Sequence, residues 1–288
     1  MPRTSRRAAL AVAAAAPLLA VGAGAVPAVA ATEPAAGRVG DQARRWSTVY
    51  GRTVRGVPLV AYHYSHTDDA HPVTRPVLAL GCIHGNEQAG IAILRSLYTS
   101  RTPPPLGVEY VFLFHPNADG ERRDTRQNAH LVDLNRNFPA DWRDRGVPGD
   151  LTWSGPSALS EPETAAVVPL IEAIRPTIVL SYHQPLDYLG SIGGNQEFAH
   201  RFAAQVRQRY LSSSKPDGTG QVYTGTLSEW VHATYPDTLM MTTELPRPVS
   251  PALRRRHRQA IVALARDYRP LPTAASTDVT STAPSIGE

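Results

Sequence analysis

Apolar residues concentrate in four short runs, and three of them lead at their C-terminal ends into polar residues with chemical potential. Val77–Ile83 runs into His84 and Glu87; Thr177–Tyr182 runs into His183; Leu239–Thr243 runs into Glu244; Val108–Phe114 is followed by turn residues. Continuous Val/Leu/Ile-rich runs of this length predict parallel strands covered on both faces. Between them the period changes to that of a helix. Residues 87–98 place Ala89, Ile91, Ile93, Leu94 and Leu97 on one side, and 196–210 and 251–268 read as further helices. Ser160 followed by Pro162 and Glu163 predicts an N-cap with a capping box, opening a helix that ends at Ile174 before Pro176. Val49–Ser65 alternates around turn residues and predicts a hairpin at a sheet edge. Strands alternating with helices indicate an α/β domain.

The ends of the 288-residue chain differ from its body. Arg3, Arg6 and Arg7 precede an Ala-rich apolar stretch, and Ala28-Val29-Ala30 is a small-x-small cleavage site, so residues 1–30 read as a secretory signal peptide. Pro17, Pro27 and the lack of a stop-transfer flank argue against a retained anchor. Ser5-Arg6-Arg7-Ala8-Ala9-Leu10 also resembles a twin-arginine signal, and both export routes stay open. The expected location is secreted or extracytoplasmic. Residues 31–45 read as a linker, 46–270 as the domain, 212–220 as a flexible loop, and 271–288 as a disordered Ser/Thr/Ala tail.

The net charge of +4 gives little guide to partners: three of the 29 Lys and Arg precede residue 31, leaving 26 against 25 Asp and Glu, so no nucleic acid is expected. No later apolar run is long enough to span a bilayer. The single cysteine, Cys82, lies in a predicted strand and reads as a small buried hydrophobe. His63, His66 and His71 near Asp68 and Asp69 fit no compact ligand template and read as a solvated loop. Arg254, Arg255, Arg256 and Arg258 read as a solvated helix face.

Strand ends at one edge of a parallel sheet converge in space. His84, Glu87 and His183 then form a His₂Glu set, one that suits a catalytic zinc ion with an open position. Glu244 would be an acid–base group beside it. The long polar stretch 122–139, punctuated by Leu131, Val132, Leu134 and Phe138, reads as a folded functional loop. In it, Arg126 or Arg123 would face a developing oxyanion, and Asn135 with Arg136 would clamp a carboxylate.

His84-Gly85-Asn86-Glu87, the block Asp133 to Pro139, Ser181-Tyr182-His183 and Thr243-Glu244-Leu245-Pro246 resemble the carboxypeptidase A-like zinc peptidase family. They occur in the family's order over about residues 46–268. The resemblance implies a single three-layer α/β/α domain with a mixed, largely parallel sheet. It implies one Zn²⁺ on His84, Glu87 and His183, with water activated there as nucleophile and Glu244 as general base and acid. It implies carboxylate binding by Asn135 and Arg136. Arg126 corresponds best to the oxyanion arginine of compact members, Arg123 to a longer pattern.

A fold starting near Trp46 leaves no room for an inhibitory pro-domain, and the short catalytic body is similar to the murein peptide amidase branch. That branch cuts between γ-D-glutamate and meso-diaminopimelate in wall peptides, so peptide or wall peptide is the expected partner. Predicted export departs from the branch's cytoplasmic members and points to wall peptide outside the cell. Glu229, in Gly225–Trp230, reads either as a site for a substrate ammonium or as a helix-surface residue; Tyr223 is a candidate phenolic donor. The competing readings are a general zinc carboxypeptidase, a non-catalytic wall-binding module, and a deacylase of small N-acyl amino acids. A monomer with no membrane anchor after signal cleavage is expected.

Overall fold

The structure is a computed structural model and describes residues 42–212 and 223–271. The expected signal peptide, most of the linker, most of the 212–220 loop and the tail from 272 lie outside the described residues.

In chain order the elements are β1 (Gln42–Arg52), β2 (Pro58–Thr67), β3 (Arg75–Leu80), α1 (Ala89–Tyr98), β4 (Val108–Leu113), α2 (Ala118–Arg123), a 3-10 turn at Leu134–Arg136, α3 (Pro162–Ile174), β5 (Ile178–His183), β6 (Tyr188–Ile192), α4 (Glu197–Val206), β7 (Arg209–Ser212), α5 (Leu227–Thr234), β8 (Leu239–Glu244) and α6 (Pro251–Asp267). The strands form one eight-stranded sheet in the order β1-β2-β4-β3-β5-β8-β6-β7. β4, β3, β5 and β8 are mutually parallel, and the β1–β2 hairpin and β6 join them antiparallel.

The four apolar runs are the four central parallel strands. Alternate residues serve opposite cores, which is why the runs are continuous. Ala79, Phe112, Leu180 and Met241 meet Ile93 of α1, Phe202 of α4 and Ile261 of α6 on one face. Leu78, Val111, Val179 and Met240 meet Val167 and Ile171 of α3 and Trp230 of α5 on the other. The domain therefore has the expected three layers. Among the described residues, no helix is long and apolar enough to cross a membrane.

Four expectations are corrected. Gln42–Arg45 belongs to β1 rather than to a linker: the Arg45 guanidinium lies 3.7 Å from the Tyr64 ring centroid, and its Nε donates to Tyr98 O at 2.7 Å. His63 and His66 lie in β2, not in a solvated loop. His63 is buried, stacks on Trp46 at 4.7 Å, and places Nδ1 2.7 Å from Glu109 Oε1; His66 Nδ1 donates to Pro104 O. Only His71 keeps the solvated setting, beside Asp68. Ser160 does not cap α3. The cap position is Glu161, and Glu163 turns away to accept from Val54 N and Asn128 Nδ2, each at 3.1 Å. On α6, Arg254, Arg255 and Arg258 are exposed, whereas Arg256 is half-buried and its Nε donates to Val206 O. Two strands, β6 and β7, were not expected, and α2 occupies the stretch read as a plain turn.

His257 of α6 is fully buried against Tyr182 and Phe202, with Nδ1 3.2 Å from the Tyr182 hydroxyl. Burial, aided by the charge of Arg256, pushes its pKa down to about 3. The unfolded chain takes up this proton below its ordinary value of about 6.5 and the folded chain does not, so stability is lost as pH falls from there toward 3. The expected loss from this one group is about 2 kcal/mol at pH 5. His257→Leu should flatten the decline of the urea midpoint between pH 7 and pH 5. Parallel curves for the two proteins would contradict this.

Candidate metal centre and active site

The turn after β3 packs tightly on its neighbours. A Cβ on Gly85 would fall 2.1 Å from the Gly120 carbonyl carbon, and one on Gly90 would fall 2.4 Å from Tyr182 Cβ. Glycine at both positions lets the turn sit against α2 and α1 sit against β5. His84 and Glu87 are thereby brought beside His183, the last residue of β5, which pairs in register with Glu244, the last residue of β8.

His84 Nδ1 and His183 Nδ1 each lie 3.0 Å from Glu87 Oε2 and 3.1 Å from each other, and all three residues are buried. The opposite ring nitrogens are occupied: His84 Nε2 is 3.0 Å from Asp133 Oδ1, and His183 Nε2 is 3.1 Å from Ser181 Oγ. With the His84 proton on the Asp133 side, its Nδ1 lone pair faces the centre. Two imidazole nitrogens and a carboxylate oxygen converging in this way are a donor set that fits a zinc ion.

Burial works against ionisation of Glu87, but the two imidazoles outweigh it and hold its pKa well below the usual range. Asp133 is held low in the same way by His84 and Arg126 despite full burial. For His84, burial pushes the pKa down, yet Asp133 and Glu87 carry it above the usual value. Glu244 is shifted up, chiefly by burial and further by Glu87, with His183 opposing.

His84, Glu87, His183, Arg126, Asn135, Arg136, Glu229 and Glu244 all line one cavity of about 300 Å³. Arg123 does not: it is exposed on α2. Arg126 is anchored by Asp133 Oδ2 through Nε at 3.0 Å and Nη2 at 2.8 Å, with Nη1 3.3 Å from Glu87 Oε1. Asn135 Oδ1 accepts from Leu227 N at 3.0 Å, tying the 3-10 turn to the start of α5. Arg136 is 6 % exposed. Its Nη1 donates to Asn135 O at 2.6 Å, its guanidinium lies 4.7 Å over the Tyr223 ring, and its buried Nε has no partner among the described residues.

Three contributors escaped the sequence reading. Asp133 orients His84 and Arg126, Ser181 engages His183, and the Gln184 backbone N–H donates to Glu87 Oε2 at 3.2 Å. Ser181 was within reach, because residues two apart on a strand share a face. Asp133 stood in a block already singled out, but its partner is 49 residues away. Asp133→Asn is expected to lower metal affinity by about 10–100-fold. Competition against a chromogenic chelator measures this, and unchanged affinity would mean that His84 is oriented without Asp133.

Comparison with known proteins agrees with this geometry. The zinc carboxypeptidase family matches residues 105–249, half of the chain. Murein peptide amidase A of Vibrio campbellii is 29 % identical over 231 residues, covering 75 % of this chain and 86 % of that protein. The Escherichia coli K12 murein peptide amidase A is 34 % identical over 149 residues, 48 % of this chain and 58 % of that protein. Among solved structures, a murein-tripeptide amidase from Escherichia coli O157 superposes with a TM-score of 0.61 at 24 % identity, covering 77 % of this chain and 92 % of that one. Carboxypeptidase A from Helicoverpa armigera gives 0.63 at 17 % identity, covering 77 % and 68 %; these two likenesses bear on the fold. With half its length matched by the family and its His₂Glu cluster at the sheet edge, the chain belongs to the zinc carboxypeptidase family and is a hydrolytic enzyme.

Proposed function

We propose that this enzyme is an exported zinc-dependent amidase that hydrolyses an amide bond next to a free carboxylate, the bond between γ-D-glutamate and meso-diaminopimelate in wall peptides. The observation that carries the reading is Arg136: a buried guanidinium whose Nε has no partner among the described residues, lining the same cavity as the His₂Glu cluster and Glu244. A guanidinium held there suits a carboxylate in bidentate geometry. The murein peptide amidase relatives support the choice of amide. The N-terminal export signal supports action outside the cytoplasm, by the general or the twin-arginine route.

His84, Glu87 and His183 would hold the ion, which supplies polarisation of water and of the scissile carbonyl when bound. The residues of the chain do the rest. Arg136, with Asn135 beside it, fixes the terminal carboxylate. Arg126, held by Asp133, faces the carbonyl oxygen as negative charge builds there. Glu244 takes a proton from the attacking water and delivers it to the leaving nitrogen. The C–N bond breaks, hydroxyl adds to the acyl carbon, and the nitrogen leaves as a free amine.

The test is incubation of the chain from Ala31, zinc-loaded, with L-Ala-γ-D-Glu-meso-diaminopimelate and with ordinary L-peptides. Release of free diaminopimelate, lost on chelation, is expected. Release only of C-terminal residues from the L-peptides would reassign the enzyme as a general carboxypeptidase. Specific wall-peptide binding without hydrolysis by fully loaded protein would favour the non-catalytic module.

A further inference from the structure

The charges of α4 and α6 are segregated along the pair. The two helices pack antiparallel. At one end the Asn195 backbone N–H, just ahead of α4, donates to the Tyr268 hydroxyl just past α6. At the other end Arg256 Nε of α6 donates to the carbonyl of Val206, the last residue of α4, at 3.1 Å. Each helix has one acidic residue, and both acids lie at the first end. There Glu197 pairs with Arg201, and Asp267 pairs with Arg266 at 2.7 Å. At the second end stand Arg207, Arg254, Arg255 and Arg258, all exposed, and none has an ion-pair partner among the described residues. Asp187 adds one negative charge there, bonded to Gln208 Nε2 at 3.3 Å, and the excess stays positive.

Local stability does not account for this cluster. The Ser250 side chain already caps α6 by accepting from Leu253 N at 3.1 Å, and Pro251 suits its first turn. Arginines in the first two turns face the positive end of the helix dipole, and Arg254 and Arg258 repel each other one turn apart. No acid in the first turn offsets them. Arg256 is tied to Val206, whereas Arg254, Arg255 and Arg258 oppose the helix and gain no contact from the fold.

The second end adjoins the edge of the sheet that carries the metal cluster. α6 opens soon after β8 ends at Glu244, and Gln208, just past α4, donates to Glu244 O at 2.7 Å. Beside Arg258 the surface dips into a cavity of about 340 Å³. Gln205 and Gln259 line it with Arg258, and none of these three side chains has a hydrogen-bond partner among the described residues. Guanidinium groups in series, without counter-ions and with amide donors alongside, suit a chain of phosphates separated by hydroxylated units. We propose that this end of α4 and α6 docks an anionic phosphodiester polymer of the wall, holding the enzyme against the matrix that carries its substrate. The choice of a wall polymer rests on the wall-peptide reading given above; the charge of the partner does not.

The test titrates the zinc-loaded chain from Ala31 with fluorescently labelled poly(glycerol phosphate), with single-stranded DNA of equal charge and with neutral dextran. Polymer binding that weakens steeply with salt is expected, at least as tight as binding to DNA, with none to dextran. Arg254→Gln, Arg255→Gln and Arg258→Gln together should lower polymer affinity about tenfold or more and flatten its salt dependence. Arg101, Arg122 and Arg123 are exposed on other segments, and Gln at all three makes the same change in net charge. That control should lose no more than about threefold. The α6 variant should have a urea midpoint no lower than the original, because it relieves the opposition to the helix dipole. Its hydrolysis of the small wall tripeptide should be unchanged. Absence of salt-sensitive polymer binding would overturn the proposal, as would an equal loss in the control or a lowered urea midpoint. Tighter binding of DNA would also overturn it and assign the face to nucleic acid. Polymer binding by a chain that hydrolyses no wall peptide would instead defeat the proposed reaction and leave the docking face standing.

Discussion

Replacing Glu244 with Gln should lower kcat by about 10²–10⁴-fold, with one metal ion per chain still bound. The substitution keeps the size and shape of the side chain at the end of β8 and removes its ability to take a proton. The ligand set itself is kept, because His84, Glu87 and His183 lie on other segments and Glu244 is their neighbour at the end of the strand paired with β5. The informative pair of measurements is turnover and metal content on the same preparation. A rate within tenfold of the original, with metal in place, would remove Glu244 from the chemistry. Loss of metal alongside loss of rate would make it part of the binding site.

Arg136→Ala should cost about 3 kcal/mol in kcat/KM for substrates ending in a free carboxylate, roughly two orders of magnitude. The arginine is buried, lines the cavity and donates one N–H to its own turn, and its Nε has no partner among the described residues. A matched substrate ending in carboxamide should be slow with the original enzyme and should lose little further in the variant. Equal losses on acid and amide would show that Arg136 supports the turn rather than the substrate. Arg136→Lys should not rescue, since a single ammonium cannot reproduce the two-pronged contact.

The legible part of the fold was the part buried on both faces. β3, β4, β5 and β8 read directly from their apolar runs because each run serves two cores. β6 and β7 are only five and four residues long, and the Gly190-Ser191 half of β6 lines the cavity, so neither carried an apolar signal. Ser160 and Glu163 had the local form of a capping box, but the backbone of Val54 and the amide of Asn128 won the glutamate through contacts 109 and 35 residues away. The same limit applies to the site. Residues at strand ends could be placed together in advance from topology alone. Asp133 could not, since nothing local distinguishes a carboxylate that meets a histidine from one that faces solvent. The misreading of His63 has the same origin: its stacking on Trp46 and its contact with Glu109 come from strand register, not from its neighbours in sequence.

The three side chains of the His₂Glu cluster come from two pieces of chain, His84 and Glu87 on one and His183 on the other, 99 residues apart between the two histidines. The segment that carries His84 and Glu87 leads out of β3, which is wedged between β4 and β5 in the middle of the sheet. An ion held by all three would therefore act as a reversible staple across a loop of about a hundred residues. By binding the folded chain and not the unfolded one, in which the three side chains are apart, it would bias the population toward the folded state. Metal supply would then govern how long the protein survives as well as how fast it works, and the apo form would be the one that proteases reach first.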